Sequence, residues 1–352
     1  MAYIRYTQQA HLNGVVTKEF PVLFNRTGDI NRLVLNYLLE CAKVSAISSV
    51  GTYARHLLDL YNQLEEDSGL VDIETIDEGY LAAYKASLID RGQYQNTDNY
   101  AANIIFTILR FFKWLEDNGI VRNLIGETEN HRIRIKLLDK GNIKHPLAKV
   151  DNKDRRKKIA PRRDWIDLVK KYGPKTPNLN LRFELMIDWG MTAGLRALEG
   201  CFLAISQLPS RETVEKAIVD EKNIFMSLNV TKGSKEKSIP VSPLLIKKTL
   251  DYIDIERKST VAKFKNIAKK NHVPYVESEY IFISDKTGRA LLPRSFSNSI
   301  RNAFLAAVDA GELTEDERVW CHGLRHYFVV VLLKKLDEKK VPRPEAITRQ
   351  AS

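Results

Sequence analysis

Two arginines, two lysines and two histidines stand in three short segments of this chain. The segments are Gly194-Leu195-Arg196-Ala197-Leu198-Glu199, the turn Thr231-Lys232-Gly233-Ser234-Lys235, and His322-Gly323-Leu324-Arg325-His326. A guanidinium forks its N–H groups onto phosphate oxygens and keeps its charge at any working pH, so a pair of them suits a phosphodiester that gains charge during attack. The departing 5′ oxygen also needs a proton, which a lysine or histidine supplies. Phosphoryl transfer is the chemistry these residue types fit. His322 and Arg325 share one face if their segment is helical, and so do Arg196 and Glu199, which makes Glu199 a candidate to orient its arginine.

Other chemistries lack their residues. The chain has no His-Glu-x-x-His, no Cys/His cluster at ligand spacing, no P-loop, no Gly-x-Gly-x-x-Gly after a strand and no Gly-x-Ser-x-Gly elbow. We therefore expect no metal and no cofactor. Cys41, Cys201 and Cys321 are far apart and odd in number, as reduced core residues would be. No apolar run nears the ~18 residues that span a bilayer, and the first residues lack the apolar centre of a signal peptide. A cytoplasmic protein with no membrane partner is expected.

The formal net charge of +11 over 352 residues favours a polyanionic partner. Thirteen Lys/Arg against three Asp between His131 and Arg163 supply most of that excess. Alone, such a run reads as a solvated linker; beside residues suited to phosphate chemistry it reads as contact with DNA backbone. Arg132, Arg134, Lys136, Arg155, Arg156, Lys157, Lys158, Arg162 and Arg163, with Lys235 of the turn, are the candidate DNA contacts.

Elements must position these groups, and a chain of this length has room for two cores. Helices are expected at about 29–44, after a Ser48-Ser49 cap with Tyr53, Leu57, Leu60, Tyr61 and Leu64 inward, at about 76–90, and after an Asp98 cap with Ile104, Ile108, Phe111, Phe112 and Leu115 inward. Periodicity fades from 121 to about 158. Further helices are expected near 161–164, over 180–189, from Arg196 to Leu203, at about 243–255 and 261–270, and from Ser295 and His322. The clear β signal is a hairpin, 223–230 and 237–240, with Lys232 at its turn and a short strand at 280–283 beyond it. The reading is mainly α with a small β-sheet: an extension over 1–45, a helical domain over 46–120, a basic interdomain linker over 121–158 and a second domain over 159–352.

Three of these motifs, in this order, resemble the tyrosine recombinase (phage integrase) family: Thr192-Ala-Gly-Leu-Arg196-Ala-Leu-Glu199, Thr231-Lys-Gly-Ser-Lys-Glu-Lys-Ser-Ile-Pro240 and His322-Gly-Leu-Arg-His-Tyr-Phe328. Tyr280-Ile-Phe-Ile-Ser284 and Pro293-Arg-Ser-Phe296 fit the family's region ahead of its His-x-x-Arg box. The resemblance implies a helical core-binding (SAM-like) domain followed by a mixed α/β catalytic domain. It implies that Arg196 and Arg325 clamp the scissile phosphate, that Lys232 protonates the leaving 5′ hydroxyl, with Lys235 or Lys237 as alternative hairpin lysines, and that His322 acts as general acid/base or donor. Glu199 and His326 would support them.

The implied activity is site-specific DNA recombination by an integrase or transposase of a mobile element, through a 3′-phosphotyrosyl intermediate. The implied partners are double-stranded DNA with inverted-repeat half-sites, a homodimer on a site, a homotetramer in synapsis, and accessory DNA-bending factors. A type IB topoisomerase-like enzyme and an accessory DNA-binding protein with an incomplete site are the alternatives. The family's nucleophile is a tyrosine well beyond the second arginine, whereas here only Tyr327 follows Arg325. Tyr327 is too near Arg325 to move independently, and packing is its expected role. The nucleophile is expected beyond Ser352, which would make this a C-terminally truncated, cleavage-deficient form.

Overall fold

Apolar residues at three- and four-residue spacing build the first unit, Met1–Arg156, of a chain that divides into two units in the computed structural model. The structure describes residues 1–12, 15–67, 72–92, 97–139, 142–150, 159–228 and 237–340. Helices α1 (Arg32–Val44), α2 (Ile47–Glu66), α3 (Glu78–Asp90) and α4 (Thr97–Asp117) turn Val34 and Leu38, Leu57 and Leu60, Leu81 and Tyr84, and Ile108, Phe111 and Phe112 into one core. Removing that apolar surface from water is the main force holding the bundle together. Side-chain caps set two of the starts. Asn31 accepts the Val34 N–H at 3.0 Å and Asp77 accepts the Tyr80 N–H at 2.8 Å, so α1 and α3 begin after these residues, short of the expected 29 and 76. Helix α2 begins ahead of Ser48-Ser49, with Ala46 at its N-cap, and α4 ahead of Asp98. Gly119, at φ +65°, closes α4 in a left-handed turn.

Two sequence expectations need correction in this unit. Residues 1–45 are part of its core: β1 (Tyr3–Tyr6) pairs with β4 (Pro21–Phe24), β2 (Ala10–Leu12) pairs with β3 (Val15–Thr17), and Phe20, Leu23 and α1 are buried with the bundle. Nor is the described portion of 121–158 a linker. It forms β5 (Ile125–Gly126), β6 (Ile133–Arg134), β7 (Lys136–Leu138) and β8 (Asn142–Lys144), and Ile125, Ile133, Ile135 and Ile143 are buried in the same core. The physical reason is the alternation Ile133-Arg-Ile-Lys-Leu137, a half-buried strand pattern that the density of positive charge obscures.

The second unit, Lys157–Ser352, has its own core around Trp189, Phe282, Ile300 and Leu324. Its elements are α5 (Arg163–Lys171), α6 (Pro177–Thr192), α7 (Ala197–Cys201), α8 (Arg211–Val219), the antiparallel pair β9 (Ile224–Leu228) and β10 (Lys237–Val241), α9 (Pro243–Tyr252), α10 (Lys258–Lys270), α11 (Pro293–Asp309) and α12 (Cys321–Glu338). Helix α8, capped by Ser210, is an element that the sequence pattern did not announce. The two helices expected near 243–270 run on through a π-helical joint, Ile253–Arg257. Arg257 there is buried and donates to the Glu277 carboxylate at 2.7 Å, to the Tyr280 carbonyl at 3.1 Å and to the Ser278 carbonyl. The expected strand at 280–283 makes only single bridges, Ala204 to Tyr280 and Ile283 to Ala290, because its buried residues thread between two loops. No described helix is long and apolar enough to cross a membrane.

Candidate phosphate-binding site

The site forms where α6 ends. Gly194 adopts φ +66°, which L side chains rarely tolerate, and a Cβ there would lie 2.5 Å from Phe328 Cδ1 on α12. The bend carries the chain into α7 with Arg196 at its N-cap position. The buried Glu199 carboxylate accepts from the Arg196 backbone N–H at 2.8 Å and from its guanidinium at 2.7 Å. Arg196 is thus gripped at both ends while its side chain keeps 39% of its exposure.

Helix α12 brings the second arginine to the same bend. Its N-cap is Trp320, and a Cβ at Gly323 would meet the Trp320 ring at 2.8 Å, so glycine lets the indole fold over the first turn. Where α12 crosses α6, a Cβ at Gly190 would stand 3.0 Å from Leu324, and the small residue permits the close approach. Arg325 then donates from Nη1 to the Gly194 carbonyl at 2.6 Å, two residues ahead of Arg196. Residues 131 positions apart in the chain meet here.

A third cation comes from the hairpin. In β10 the buried residues are Ile239 and Val241, and alternation puts half-buried Lys237 on their face, at the strand's first residue. Burial lowers the Lys237 ammonium's pKa from its ordinary value, as do the positive charges of Arg325 and Arg196, while Glu199 opposes the shift. Burial likewise lowers the Arg325 guanidinium, with Arg196 adding to the effect and Glu199 opposing it. Three cationic side chains therefore share one half-buried place with a single carboxylate among the described residues, an arrangement suited to an anion. From sequence, Lys237 stands only as an alternative hairpin lysine; its alternation with Ile239 and Val241 is the signal that could have singled it out.

His322 is exposed on the first turn of α12, its ring 4.8 Å from that of His326 in an edge-on arrangement. His326 also lies 6.1 Å from the Trp320 ring, between the helix cap and His322. Tyr327 packs against the core of the unit. Cys201 and Cys321 stand near the two arginine segments, their thiols raised by burial to about 12 and about 11, values that leave them inert at neutral pH.

The remaining candidates are scattered. Lys232, Lys235, Arg155, Arg156, Lys157 and Lys158 lie outside the described residues. Arg162 pairs with Asp164 at 2.5 Å and stacks over Trp165, and Arg163 pairs with Asp167 at 2.9 Å, so local carboxylates already match both charges. Arg132, Arg134 and Lys136 are exposed on the first unit, Arg134 with Glu129 at 3.0 Å.

No protein-family model and no curated protein matches the chain. Solved structures do. A lambda integrase dimer bound to a COC′ core site is 15% identical, with a TM-score of 0.55, covering 88% of this chain and 71% of that one. A lambda integrase tetramer bound to a Holliday junction is 15% identical, with a TM-score of 0.53, covering 90% and 72%. The Tn1549 transposon integrase in complex with transposon right end DNA is 13% identical, with a TM-score of 0.52, covering 86% of each. With its helical build, its small separate sheets and the arginine segments meeting at the end of α6, the chain has the fold of the tyrosine recombinases.

Proposed function

We propose that the protein is a site-specific DNA recombinase, an integrase or transposase of a mobile element, acting in the cytoplasm on duplex DNA with inverted-repeat half-sites. The observation that carries the reading is the contact from Arg325 to the Gly194 carbonyl, which brings the two arginines together beside half-buried Lys237, with Glu199 the carboxylate that faces them among the described residues. The fold, common to solved recombinases bound to DNA, supports it.

In this reading Arg196 and Arg325 bind the non-bridging oxygens of the scissile phosphate and tighten as charge grows on them. A tyrosine oxygen attacks phosphorus, the bond to the 5′ oxygen breaks, and that oxygen leaves with a proton from Lys232 or from Lys237, whose lowered pKa makes it a readier donor. His322 assists as acid, base or donor, and His326 holds the helix start. The 5′ hydroxyl of a partner strand then attacks the 3′-phosphotyrosine, rejoins the DNA and frees the tyrosine. We assign the nucleophile to no described residue, since Tyr327 is packed against the core of its unit. Dimers on a site, tetramers in synapsis and DNA-bending accessory factors complete the proposal.

The test has two stages. The chain is used to select duplexes from a random pool, where the reading expects an inverted repeat whose affinity falls steeply with salt. The protein is then incubated with that duplex, nicked beside the scissile position. A covalent adduct through tyrosine, lost in Arg196→Ala and in Arg325→Ala with duplex affinity largely kept, supports recombination. Supercoil relaxation independent of the selected site would indicate a type IB topoisomerase-like enzyme instead. Binding without any adduct would assign the accessory DNA-binding reading. No duplex affinity at all would overturn all three.

A further inference from the structure

The hairpin of β7 and β8 in the first unit carries an unfavourable pair. Lys136 and Lys144 are directly opposite each other in the antiparallel register, and both are exposed. Like charges in that position repel across about 5 Å, and sheets ordinarily put opposite charges or apolar partners there. Alternation fixes the direction of these side chains: Ile135 and Ile143 are buried and Leu137 is half-buried, so Lys136 and Lys144 stand on the opposite, solvent face, with Arg134 two residues before Lys136 on the same side.

Neighbouring carboxylates do not resolve the repulsion. Glu127 accepts from the Leu137 backbone N–H at 2.9 Å, Glu78 from the Arg134 backbone N–H at 2.9 Å, and Glu129 from the Arg134 guanidinium at 3.0 Å. Neither Lys136 nor Lys144 makes an ion pair among the described residues. A two-stranded ribbon therefore offers a face of ammonium groups without ion-pair partners among the described residues, anchored by buried Ile135 and Ile143. Its lysines are spaced as cross-strand neighbours are, a few ångströms apart, where one phosphate or two adjacent phosphates relieve the repulsion.

We propose that this ribbon face is a phosphate-backbone contact for duplex DNA, with Lys136 and Lys144 closing on the backbone as a pair. The proposal rests on duplex DNA being the protein's substrate, and it assigns to a defined structure what a flexible basic linker was expected to do.

The test exploits opposite signs. Lys136→Glu turns the opposed lysines into an attractive cross-strand pair, so the melting temperature of the protein should stay level or rise. Affinity for the duplex selected from the random pool should nevertheless fall several-fold, and the slope of log affinity against log salt should become shallower by about one unit for each phosphate no longer neutralised. Lys144→Glu should behave the same way, and an unrelated duplex should suffer a similar loss, since backbone contacts carry no sequence. Wild-type affinity and slope in both variants would overturn the proposal. So would a fall in melting temperature that parallels the loss of binding in both, because the pair would then be structural. Undiminished duplex binding with lost binding to phosphatidylserine vesicles would assign the face to a membrane surface and also overturn it. If the unaltered protein binds no duplex, the recombinase reading itself fails, an outcome distinct from these.

Discussion

Replacing Gly194 by alanine tests whether the two arginine segments meet as described. The substitution forces an L residue into φ +66°, at a cost of roughly 1–2 kcal/mol. The new methyl would also stand 2.5 Å from Phe328 Cδ1, where overpacking costs about 1–3 kcal/mol. Phe328 is only half-buried and its ring can yield, which favours the lower end and a total of about 2–3 kcal/mol. In a unit of this size that lowers the melting temperature by roughly 5–10 °C. Gly200 is the control: it lies in α7 and an added Cβ meets nothing within 4 Å. Gly200→Ala should be neutral or stabilising by up to about 1 kcal/mol. Differential scanning calorimetry of the two variants decides. A Gly194→Ala protein that melts with the wild type would refute both the left-handed bend and the packing of α12 upon it.

Glu199→Gln removes the carboxylate that faces the cationic cluster among the described residues. The amide keeps an acceptor for the Arg196 N–H but loses its charge-assisted bond to the guanidinium, and with Arg196 partly exposed the cost should be roughly 1–3 kcal/mol. Because Glu199 holds the Lys237 pKa up, the same change should lower that pKa further, which titration of the lysine side chains by NMR would show; an unmoved Lys237 would contradict the cluster. In the first unit, burial pulls His56 down to about 4, while its Nδ1 lies 2.7 Å from Thr107 Oγ1. The unfolded chain takes up a proton below about 6.5 where the folded chain does not, so stability should be level at higher pH and fall by on the order of 2–3 kcal/mol as pH drops from 6.5 to 4. His56→Gln should flatten that fall, leaving the part due to His145, which burial also lowers; an equal slope in the variant would argue against the assignment.

That Arg196 and Arg325 attend one place was implied by the resemblance of the three motifs to the tyrosine recombinases, and only the pairing of Arg196 with Glu199, one helical step on, was readable from spacing; the roles of Gly194 and Gly323 emerge from the structure. Lys237 was harder to see. Its neighbours Ser238 and Pro240 look like turn residues, and only the buried Ile239 and Val241 reveal which face the lysine takes. The helices of the first unit followed from their apolar spacing, whereas their starts shifted to whichever residue capped them, Asn31 and Asp77. The region after Gly119 was misread for a physical reason. Its charge dominates its composition, but the core contacts are made by single isoleucines spaced two apart, and such a strand needs few apolar residues to be anchored. The N-terminal strands, three or four residues each, were too short to carry a period.

The central claim is that Arg196, Arg325 and Lys237 attend a single anion. Crystals soaked in tungstate, a tetrahedral oxyanion located by its anomalous scattering, test it most directly. One tungstate is expected within hydrogen-bond reach of both guanidinium groups, displaced by phosphate and lost in Arg325→Ala. Tungstate absent from this place, or bound to either arginine with the other turned away, would contradict it.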